Sequence, residues 1–242
     1  MQKMAQALLN FFYPKVCVSC KKDVAYDSSR NLCDACFSSI RLVEGLICQV
    51  CGVPLPDGGR TCYLCKKNAR AFDLVRAATI FEGAMRDMIH ALKYEQQDGL
   101  ALELSFWLAH QWAQTPELQS VDYLVPVPLH AQRQRERGYN QSELLARHFL
   151  SRIAKTKMTA PILKSDLLLR IKNRPAQMAL SRAERQSNIE GAFAACHLAA
   201  LQGKTVLVLD DVCTTAFTLN ACAQALHAAG AKKVIGFVLS RD

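Results

Sequence analysis

Two neighbouring carboxylates, Asp210 and Asp211, follow an apolar run and precede three threonines, Thr214, Thr215 and Thr218. That order predicts a strand that delivers the carboxylates to the carboxyl edge of a sheet, where open α/β folds bind ligands. Backbone N–H groups at the start of the next helix, with the threonine hydroxyls, form a nest for a phosphate. Because carboxylates repel phosphate, we expect them to hold the vicinal hydroxyls of a ribose, directly or through Mg²⁺. The segment therefore predicts a sugar-phosphate site.

Cysteines supply a second kind of chemistry. Eight of the 11 cysteines form four Cys-x-x-Cys pairs, with 12, 11 and 10 residues between successive pairs. Two such pairs provide the four thiolates of a closed tetrahedral zinc site, which leaves no position for a substrate. Eight ligands therefore predict two structural zinc ions, whose binding supplies the folding energy of this segment. The pairs are Cys17/Cys20, Cys33/Cys36, Cys48/Cys51 and Cys62/Cys65.

The sharing of these ligands has a simplest solution, in which the first two pairs bind one ion and the last two pairs bind the other. Interleaved sharing also fits the spacing. Disulfides and an iron–sulfur site are the competing interpretations. We favour metal over disulfides because no export signal of sufficient apolar length precedes the pairs. Cys213 lies inside the predicted phosphate loop, and we interpret it as a packing residue.

Basic residues are unevenly distributed. The chain has 30 Lys or Arg against 21 Asp or Glu, a net charge of +9. Residues 131–190 alone hold 13 basic against 5 acidic residues, a net of +8. A surplus of this size favours anionic partners such as phosphate esters or nucleic acid.

Part of this basic segment is suited to pyrophosphate. Arg137, Asn140 and Gln141 lie within about one helical turn, and we expect them to converge on one ligand together with Lys93 and Arg133. Pyrophosphate is a dense anion that needs several donors, and guanidinium binds such anions through two hydrogen bonds. When pyrophosphate leaves a ribose, positive charge develops on the sugar ring. Donors on the leaving group and carboxylates near the ring would stabilise that state.

Four further basic residues fit two interpretations equally well. They form either a solvated helix face or a track for the backbone of a nucleic acid. In the second case Tyr94 or Tyr139 would stack on the bases. The four residues are Arg147, Arg152, Lys155 and Lys157.

The elements that must position these residues follow from the hydrophobic pattern. Composition changes near residue 70, which predicts a cysteine-rich domain over residues 1–70 and an α/β domain over residues 71–242. A strand, a helix and a strand in the last forty residues predict a right-handed parallel crossover. We predict helices at 84–94, 100–114, 144–153, 181–188 and 219–229, and strands at 123–129, 164–171, 206–209 and 234–239.

The order of strand, Asp-Asp-Val and Thr-Thr-x-x-Thr resembles the ribose-5-phosphate motif of type I phosphoribosyltransferases. The resemblance implies that Asp210 and Asp211 are the catalytic carboxylates and hold the ribose hydroxyls. That family usually has glycine where this chain has Ala216, so that the backbone can approach the phosphate; alanine restricts positive φ and puts the affinity in question. The residues implied to wrap the 5-phosphate are Thr214, Thr215, Ala216, Phe217 and Thr218.

Further segments resemble the ComF family, which includes the GntX proteins of proteobacteria. These are Val125-Pro-Val-Pro-Leu129, the run beginning Arg137-Gly-Tyr-Asn-Gln-Ser, and Arg174-Pro-Ala-Gln177 with Arg185 and Asn188. With the cysteine pairs, the resemblance spans nearly the whole chain. It implies a type I phosphoribosyltransferase-like parallel sheet behind a double zinc ribbon. It also implies a cytoplasmic role in handling incoming DNA, for natural transformation or for nutrient use.

Two functions follow from these observations. In the first, the protein is an accessory factor that binds phosphoribosyl pyrophosphate and single-stranded DNA, with the zinc ribbons contacting a protein partner or DNA. In the second, it is an active phosphoribosyltransferase with an unidentified acceptor. Ala216 and the lack of a recognisable base-specificity segment favour the first. No stretch has the roughly 20 apolar residues that a membrane span needs.

Overall fold

The computed structural model describes residues 15–24, 28–156, 158–172 and 191–242. The helix predicted at 181–188, the Arg174-Pro-Ala-Gln177 segment with Arg185 and Asn188, and Lys157 lie outside the described residues. The strands are β1 (Leu74–Ile80), β2 (Tyr123–Pro126), β3 (Ile162–Leu163), β4 (Leu168–Arg170), β5 (Phe193–Ala195), β6 (Thr205–Cys213) and β7 (Lys233–Arg241). The helices are α1 (Asp34–Ser38), α2 (Tyr63–Lys67), α3 (Gly83–Tyr94), α4 (Leu100–Gln114), α5 (Ala131–Arg137), α6 (Gln141–Ile153), α7 (Leu198–Leu201) and α8 (Phe217–Ala228), with a 3₁₀ turn at Pro116–Leu118.

A five-stranded parallel sheet forms the centre, in the order β1-β7-β6-β2-β3. Strand β7 lies between β1 and β6, with Ile235 opposite Leu74 and Val234 opposite Val206. Nearly every side chain of β7 is buried, as expected for a strand of a parallel sheet that is covered on both faces. A separate two-stranded antiparallel ribbon joins β4 and β5.

Helices cover both faces of this sheet. Helices α3, α4 and α6 pack on one face through Met85, Leu104 and Phe149, whereas α8 packs on the other through Leu219 and Leu226. The chain continues from β2 to β3 on one side of the sheet and from β6 to β7 on the other. The strand order therefore reverses between β2 and β6. Open α/β sheets bind ligands outside the carboxyl ends of the strands at such a switch point.

The two cysteine-rich segments pack on opposite faces. Cys17 and Leu32 belong to the core on the α3–α4–α6 face. Cys48 and Cys51 belong to the core on the α8 face. Each ribbon therefore shares a hydrophobic core with the sheet domain.

Most predicted elements are found, and the largest differences concern three strands. The strand predicted at 123–129 ends at Pro126, since Pro126 and Pro128 cannot donate to a ladder. The strand predicted at 164–171 is wrong: β3 ends at Leu163 in the parallel sheet, and β4 begins at Leu168 in the small ribbon. The strand predicted at 206–209 continues to Cys213, because β7 pairs with it as far as Arg241. Both carboxylates therefore lie within β6.

The charged helix predicted around residues 144–153 is preceded by a separate helix. Gly138 ends α5 in the left-handed conformation, with φ of 85°, which favours glycine. Asn140 then begins α6, where its side chain accepts a hydrogen bond from the N–H of Ser142. Within the described part of the chain, no helix has the length and apolar character needed to cross a membrane.

Candidate sugar-phosphate site and zinc tetrads

Strand β6 places the two carboxylates at the switch point. Asp210 is half-buried, and its Oδ1 accepts hydrogen bonds from Ser142 Oγ at 2.9 Å and from the N–H of Asp211 at 2.9 Å. Asp211 is 3% exposed, and its Oδ1 lies 2.8 Å from Nζ of Lys93. The other oxygen of Asp211, Oδ2, is buried without a hydrogen-bond partner among the described residues. Such an atom is costly unless a ligand or water satisfies it.

Electrostatics make this carboxylate pair receptive to a cation or to hydroxyl donors. Burial, and then the neighbouring charge of Asp211, raise the pKa of Asp210 to about 7. Burial alone would lower the pKa of Lys93, but the Asp211 carboxylate outweighs it and raises that pKa. Lys93 therefore stays charged and neutralises Asp211. It also lines the predicted pyrophosphate region.

The predicted phosphate loop follows β6 directly. Thr214 is exposed, and Thr215, Phe217 and Thr218 are half-buried. Ala216 is the N-cap of α8, at φ of 61° and ψ of 14°, and makes no side-chain capping hydrogen bond. This is the positive φ that the glycine of the related motif would adopt without strain. Ala216 therefore offers no side-chain acceptor to the first N–H groups of α8, which is compatible with an anion site at this helix start.

Three of the five predicted pyrophosphate donors, Lys93, Arg133 and Arg137, line a cavity of about 280 Å³, whereas Asn140 and Gln141 do not. Arg137 lies over the ring of Tyr94, with its guanidinium carbon 5.4 Å from the ring centroid, and donates a hydrogen bond to Oε1 of Gln141. Gln141 is buried, so this contact fixes the guanidinium direction. The cavity is lined by Lys93, Tyr94, Gln96, Arg133, Glu136 and Arg137.

The side chain of Asn140, which we expected to converge on the pyrophosphate, makes its hydrogen bonds within the protein. Its Nδ2 donates to the carbonyl of Val127 at 3.0 Å, and its Oδ1 accepts from the N–H of Ser142 at 3.0 Å. Both polar ends of its side chain are therefore used to join the loop after β2 to the start of α6. Asn140 shapes the site without lining the cavity.

Two residues of this region were not singled out from sequence. Ser142 is fully buried and donates to Asp210; the only signal was its place one residue after Gln141. Arg170 lies close enough to Arg133 and Asp210 for their charges to act on it, and burial and then Arg133 lower its pKa. Its Nε is buried without a partner among the described residues. Nothing local in the sequence marks β4 as the strand that brings Arg170 here.

The cysteines form two compact tetrads. In each, the four sulfurs lie within 4.8 Å of one another, and the sets are the sequential ones, residues 17 to 36 and residues 48 to 65. Burial acts to raise the pKa of the Cys17 thiol, but hydrogen bonds from the N–H groups of Cys33, Cys20 and Ser19 outweigh burial and lower that pKa to about 6. Burial and the neighbouring sulfurs raise the pKa of Cys36 to about 12. Four thiolates this close to one another repel each other and need a bound cation. This donor set fits structural zinc.

A second cavity, of about 630 Å³, lies between the second tetrad and the phosphate loop. One wall carries Leu55 and Tyr63 of the ribbon, and the other carries Thr214 and Thr215 with Arg241 from the end of β7. The second ribbon is thus a neighbour of the predicted phosphate site.

Comparisons with known proteins define the class. The family model "Double zinc ribbon domain" matches residues 8–66, and the model "Phosphoribosyl transferase domain" matches residues 164–242. The chain is a phosphoribosyltransferase-fold protein that carries an N-terminal double zinc ribbon.

Curated relatives narrow this class. The chain is 27% identical to "Competence protein F" of Haemophilus influenzae, over 97% of this chain and 100% of that protein. It is 28% identical to "DNA utilization protein YhgH" of Escherichia coli K12, over 94% and 97% of the two chains. It is 25% identical to "Competence protein ComFC" of Bacillus subtilis, over 88% and 85%. The predicted relation to the ComF family is thereby confirmed over nearly the whole chain.

Proposed function

We propose that this protein binds phosphoribosyl pyrophosphate at the β2–β6 switch point and acts as an accessory factor in handling incoming DNA. One observation carries the proposal: the two carboxylates of β6 directly precede the predicted phosphate loop, and Asp211 pairs with Lys93, which lines the cationic cavity. A ribose that carries a phosphate at one end and a pyrophosphate at the other has this distribution of charge. The names of the relatives, competence and DNA utilization proteins, support the wider role.

The carboxylates have a defined task in this proposal. Asp210 and Asp211 accept hydrogen bonds from the vicinal ribose hydroxyls, and the unpartnered Oδ2 of Asp211 is the atom best placed to gain one. Magnesium, where bound, would neutralise the pyrophosphate charge and retain most of its waters. Lys93 links the two ends of the ligand, since it pairs with Asp211 and also lines the cationic cavity.

The proposal is tested by calorimetric titration with phosphoribosyl pyrophosphate and Mg²⁺. We expect binding heat in the wild type and its loss in the Asp210→Ala, Asp211→Ala double variant. Asp166→Ala is the matched control, because this carboxylate is exposed and pairs with His197 in another part of the chain. Absence of heat with the wild type would refute the sugar-phosphate site.

We propose that single-stranded DNA binds beside the cationic cavity rather than along α6. Arg147 pairs with Glu143 at 2.6 Å, and Arg152 donates to Ser105 Oγ and the Leu102 carbonyl, each at 2.7 Å. Both guanidinium groups are thus engaged within the protein. By contrast, Tyr94 is 66% exposed next to the cavity, and α5 presents the exposed Arg135. An exposed aromatic side chain with neighbouring cations suits the bases and backbone of a single strand.

A gel-shift series separates the two surfaces. We expect Tyr94→Ala with Arg135→Gln to weaken retardation of a single-stranded oligonucleotide, and Arg147→Gln with Lys155→Gln to change it little. Retardation should fall steeply with salt if phosphate contacts dominate. If the Arg147 and Lys155 variant weakened retardation more than the Tyr94 and Arg135 variant, the DNA would bind along α6.

Phosphoribosyl transfer is the second candidate, and the shared position of Lys93 favours it. A single cation that contacts both the ribose carboxylates and the pyrophosphate cavity can stabilise charge as the leaving group departs. Release of pyrophosphate in the presence of acceptor bases measures this activity. No release with any base, alongside tight ligand binding, would favour the accessory role.

A further inference from the structure

Arg241 joins the second cysteine tetrad to the start of the phosphate loop. It is the last residue of β7 and is 3% exposed. Its Nη2 lies 3.6 Å from Sγ of Cys51, and its Nη1 donates to the carbonyl of Cys213 at 3.2 Å and to the Cys213 sulfur. Cys213 ends β6 and is followed directly by Thr214. One buried guanidinium therefore contacts both a metal-ligand sulfur and the residue from which the loop departs.

Arg70 makes a second connection of the same kind. Its side chain lies close enough to the Cys65 thiol of the second tetrad to interact with it. The guanidinium carbon of Arg70 also lies 5.7 Å from the ring centroid of Phe217, the first residue of α8. The N–H of the next residue, Ala71, donates to Oδ1 of Asn220 in the same helix at 2.8 Å. Two arginines, Arg241 and Arg70, thus connect two cysteines of the second tetrad with residues at the two ends of the phosphate loop.

The charge of a zinc site explains why such contacts depend on the metal. Four thiolates around Zn²⁺ carry a net negative charge, which guanidinium donors in the surrounding shell stabilise. Without the metal the four sulfurs are no longer held at fixed positions, and these donors lose an ordered acceptor. A buried guanidinium that loses its anion is costly, so the side chain moves or the site loosens. Nε atoms of Arg70 and Arg241 are already without partners among the described residues.

We propose that Arg241 and Arg70 are positioning residues that couple metal binding at the second tetrad to the geometry of the phosphate loop. The proposal rests on the sugar-phosphate site proposed above. It assigns the second ribbon a part in ligand binding that the first ribbon does not share. Coupling of this kind is reciprocal: metal raises the affinity for the sugar phosphate, and the sugar phosphate slows metal release by a related factor.

The test uses the full-length, zinc-loaded protein with ribose 5-phosphate as the probe. Zinc release to a chromophoric chelator is followed with and without a saturating concentration of the probe, whose binding is first measured by calorimetry. We expect release of one of the two ions to slow by about fivefold, the lower end of typical coupling, and the other to be unchanged. Protein loaded with cadmium-113 gives a second readout, since the probe should shift the resonance of one tetrathiolate site and not the other.

Matched variants identify the residues responsible. Arg241→Gln and Arg70→Gln should each reduce the slowing of zinc release and the cadmium shift while leaving two metal ions bound. Arg241→Lys, which keeps the charge without the two-pronged donor, should restore them in part. Arg30→Gln is the control on the first ribbon, where Arg30 pairs with Asp34 and lies over the Phe37 ring. If Arg241→Gln does not fold, the half-buried Arg70 still provides the test.

The outcomes are distinguishable. No calorimetric binding of ribose 5-phosphate by the wild type would overturn the proposed function itself. Binding with unchanged release of both ions and no cadmium shift would overturn the coupling alone. Slowed release that persists in both arginine variants would overturn the assignment of these residues.

Discussion

The two zinc ribbons are both built from two Cys-x-x-Cys pairs, separated by 12 and by 10 residues, but are attached to the sheet domain in different ways. The first ribbon contacts helices: Ser19 Oγ donates to Asp87 at 2.6 Å, and the N–H of Asn31 donates to Glu103 at 2.7 Å. The second ribbon contacts the sheet itself, because the N–H of Val75 in β1 donates to the Val50 carbonyl at 2.7 Å. It thereby pairs part of the edge strand, and the segment between the two tetrads pairs the rest, since Val43 donates to Ala78 and Ile80 donates to Arg41.

The difference teaches that two similar metal-binding patterns in one chain can serve different tasks. The first ribbon is joined to α3 and α4, on the face of the sheet away from α8. The second lies against β1, the end of β7 and the phosphate loop, where Arg241 contacts Cys51. We therefore expect damage to the first ribbon to lower stability, and damage to the second to lower both stability and ligand affinity.

The largest expected effect separates the two tetrads directly. Cys51→Ser should remove one zinc ion and abolish measurable binding of ribose 5-phosphate, because the Arg241 contact loses its anionic sulfur. Cys20→Ser, at an exposed ligand of the first tetrad, should also remove one ion but leave the affinity within about twofold, since distant sites act additively. Metal analysis and calorimetry on both variants measure this. Equal losses of affinity would remove the distinction between the ribbons.

Docking of the second ribbon is tested at Gly52. A Cβ there would lie 2.6 Å from the carbonyl oxygen of Val75, so Gly52→Ala forces the ribbon away from β1. Gly45→Ala is the matched control, with a similar φ of 75° against 69° and no heavy atom within 4 Å of its Cβ. We expect Gly52→Ala to cost about 1–3 kcal/mol of unfolding free energy more than the control, the usual cost of overpacking. Chemical denaturation gives the difference between the two variants. Equal costs would indicate that the second ribbon is not tightly packed against β1 at Gly52.

Docking of the first ribbon is tested at Glu103. Its Oε2 accepts from both the N–H and the side chain of Asn31, at 2.7 and 3.1 Å. Glu103→Gln keeps an acceptor but loses the charge, so the free energy of unfolding should fall by about 1 kcal/mol. The affinity for ribose 5-phosphate should stay unchanged. A loss of affinity in this variant would show that the first ribbon also communicates with the ligand.

The smallest expected effect lies in the loop beside the second ribbon. Ala216→Gly should stabilise the folded protein by up to about 1 kcal/mol and raise the affinity for ribose 5-phosphate, since alanine is strained at positive φ. Ala225→Gly in the middle of α8 should have the opposite sign and cost about 1 kcal/mol. Thermal unfolding and calorimetry compare the pair. An unchanged or lower affinity in Ala216→Gly would mean that the alanine suits the loop.

Local patterns predicted much of this molecule. The Cys-x-x-Cys spacing indicated both tetrads, and the apolar runs indicated β6, α8 and β7. The motif also marked Ala216 as a residue in a conformation that favours glycine, and its φ of 61° agrees. The roles of the loop and cavity residues in ligand binding, and a domain boundary near residue 70, stay predictions.

Contacts between distant segments were beyond such patterns. Arg241 and Cys51 are separated by 190 residues, and no periodicity or spacing connects them. The hydrogen bonds of Asn140 were not predicted for a related reason. An asparagine before a helix can cap that helix or bind a ligand, and the contact of Asn140 with the distant Val127 carbonyl is not visible in the local sequence. Strands β3 and β4 were merged because a two-residue strand has too few residues for a period-2 pattern.

The position of β7 has a consequence for biosynthesis. This strand is inserted between β1 and β6 but follows both of them in the sequence, so these two strands cannot be joined in one sheet before β7 has left the ribosome. Both ribbons precede it by more than a hundred residues and can take up metal while the rest is still being made. We expect stalled nascent chains that end before Lys233 to hold zinc but to remain open to protease across β1. Joining of β1 to the rest of the sheet therefore waits for the synthesis of β7.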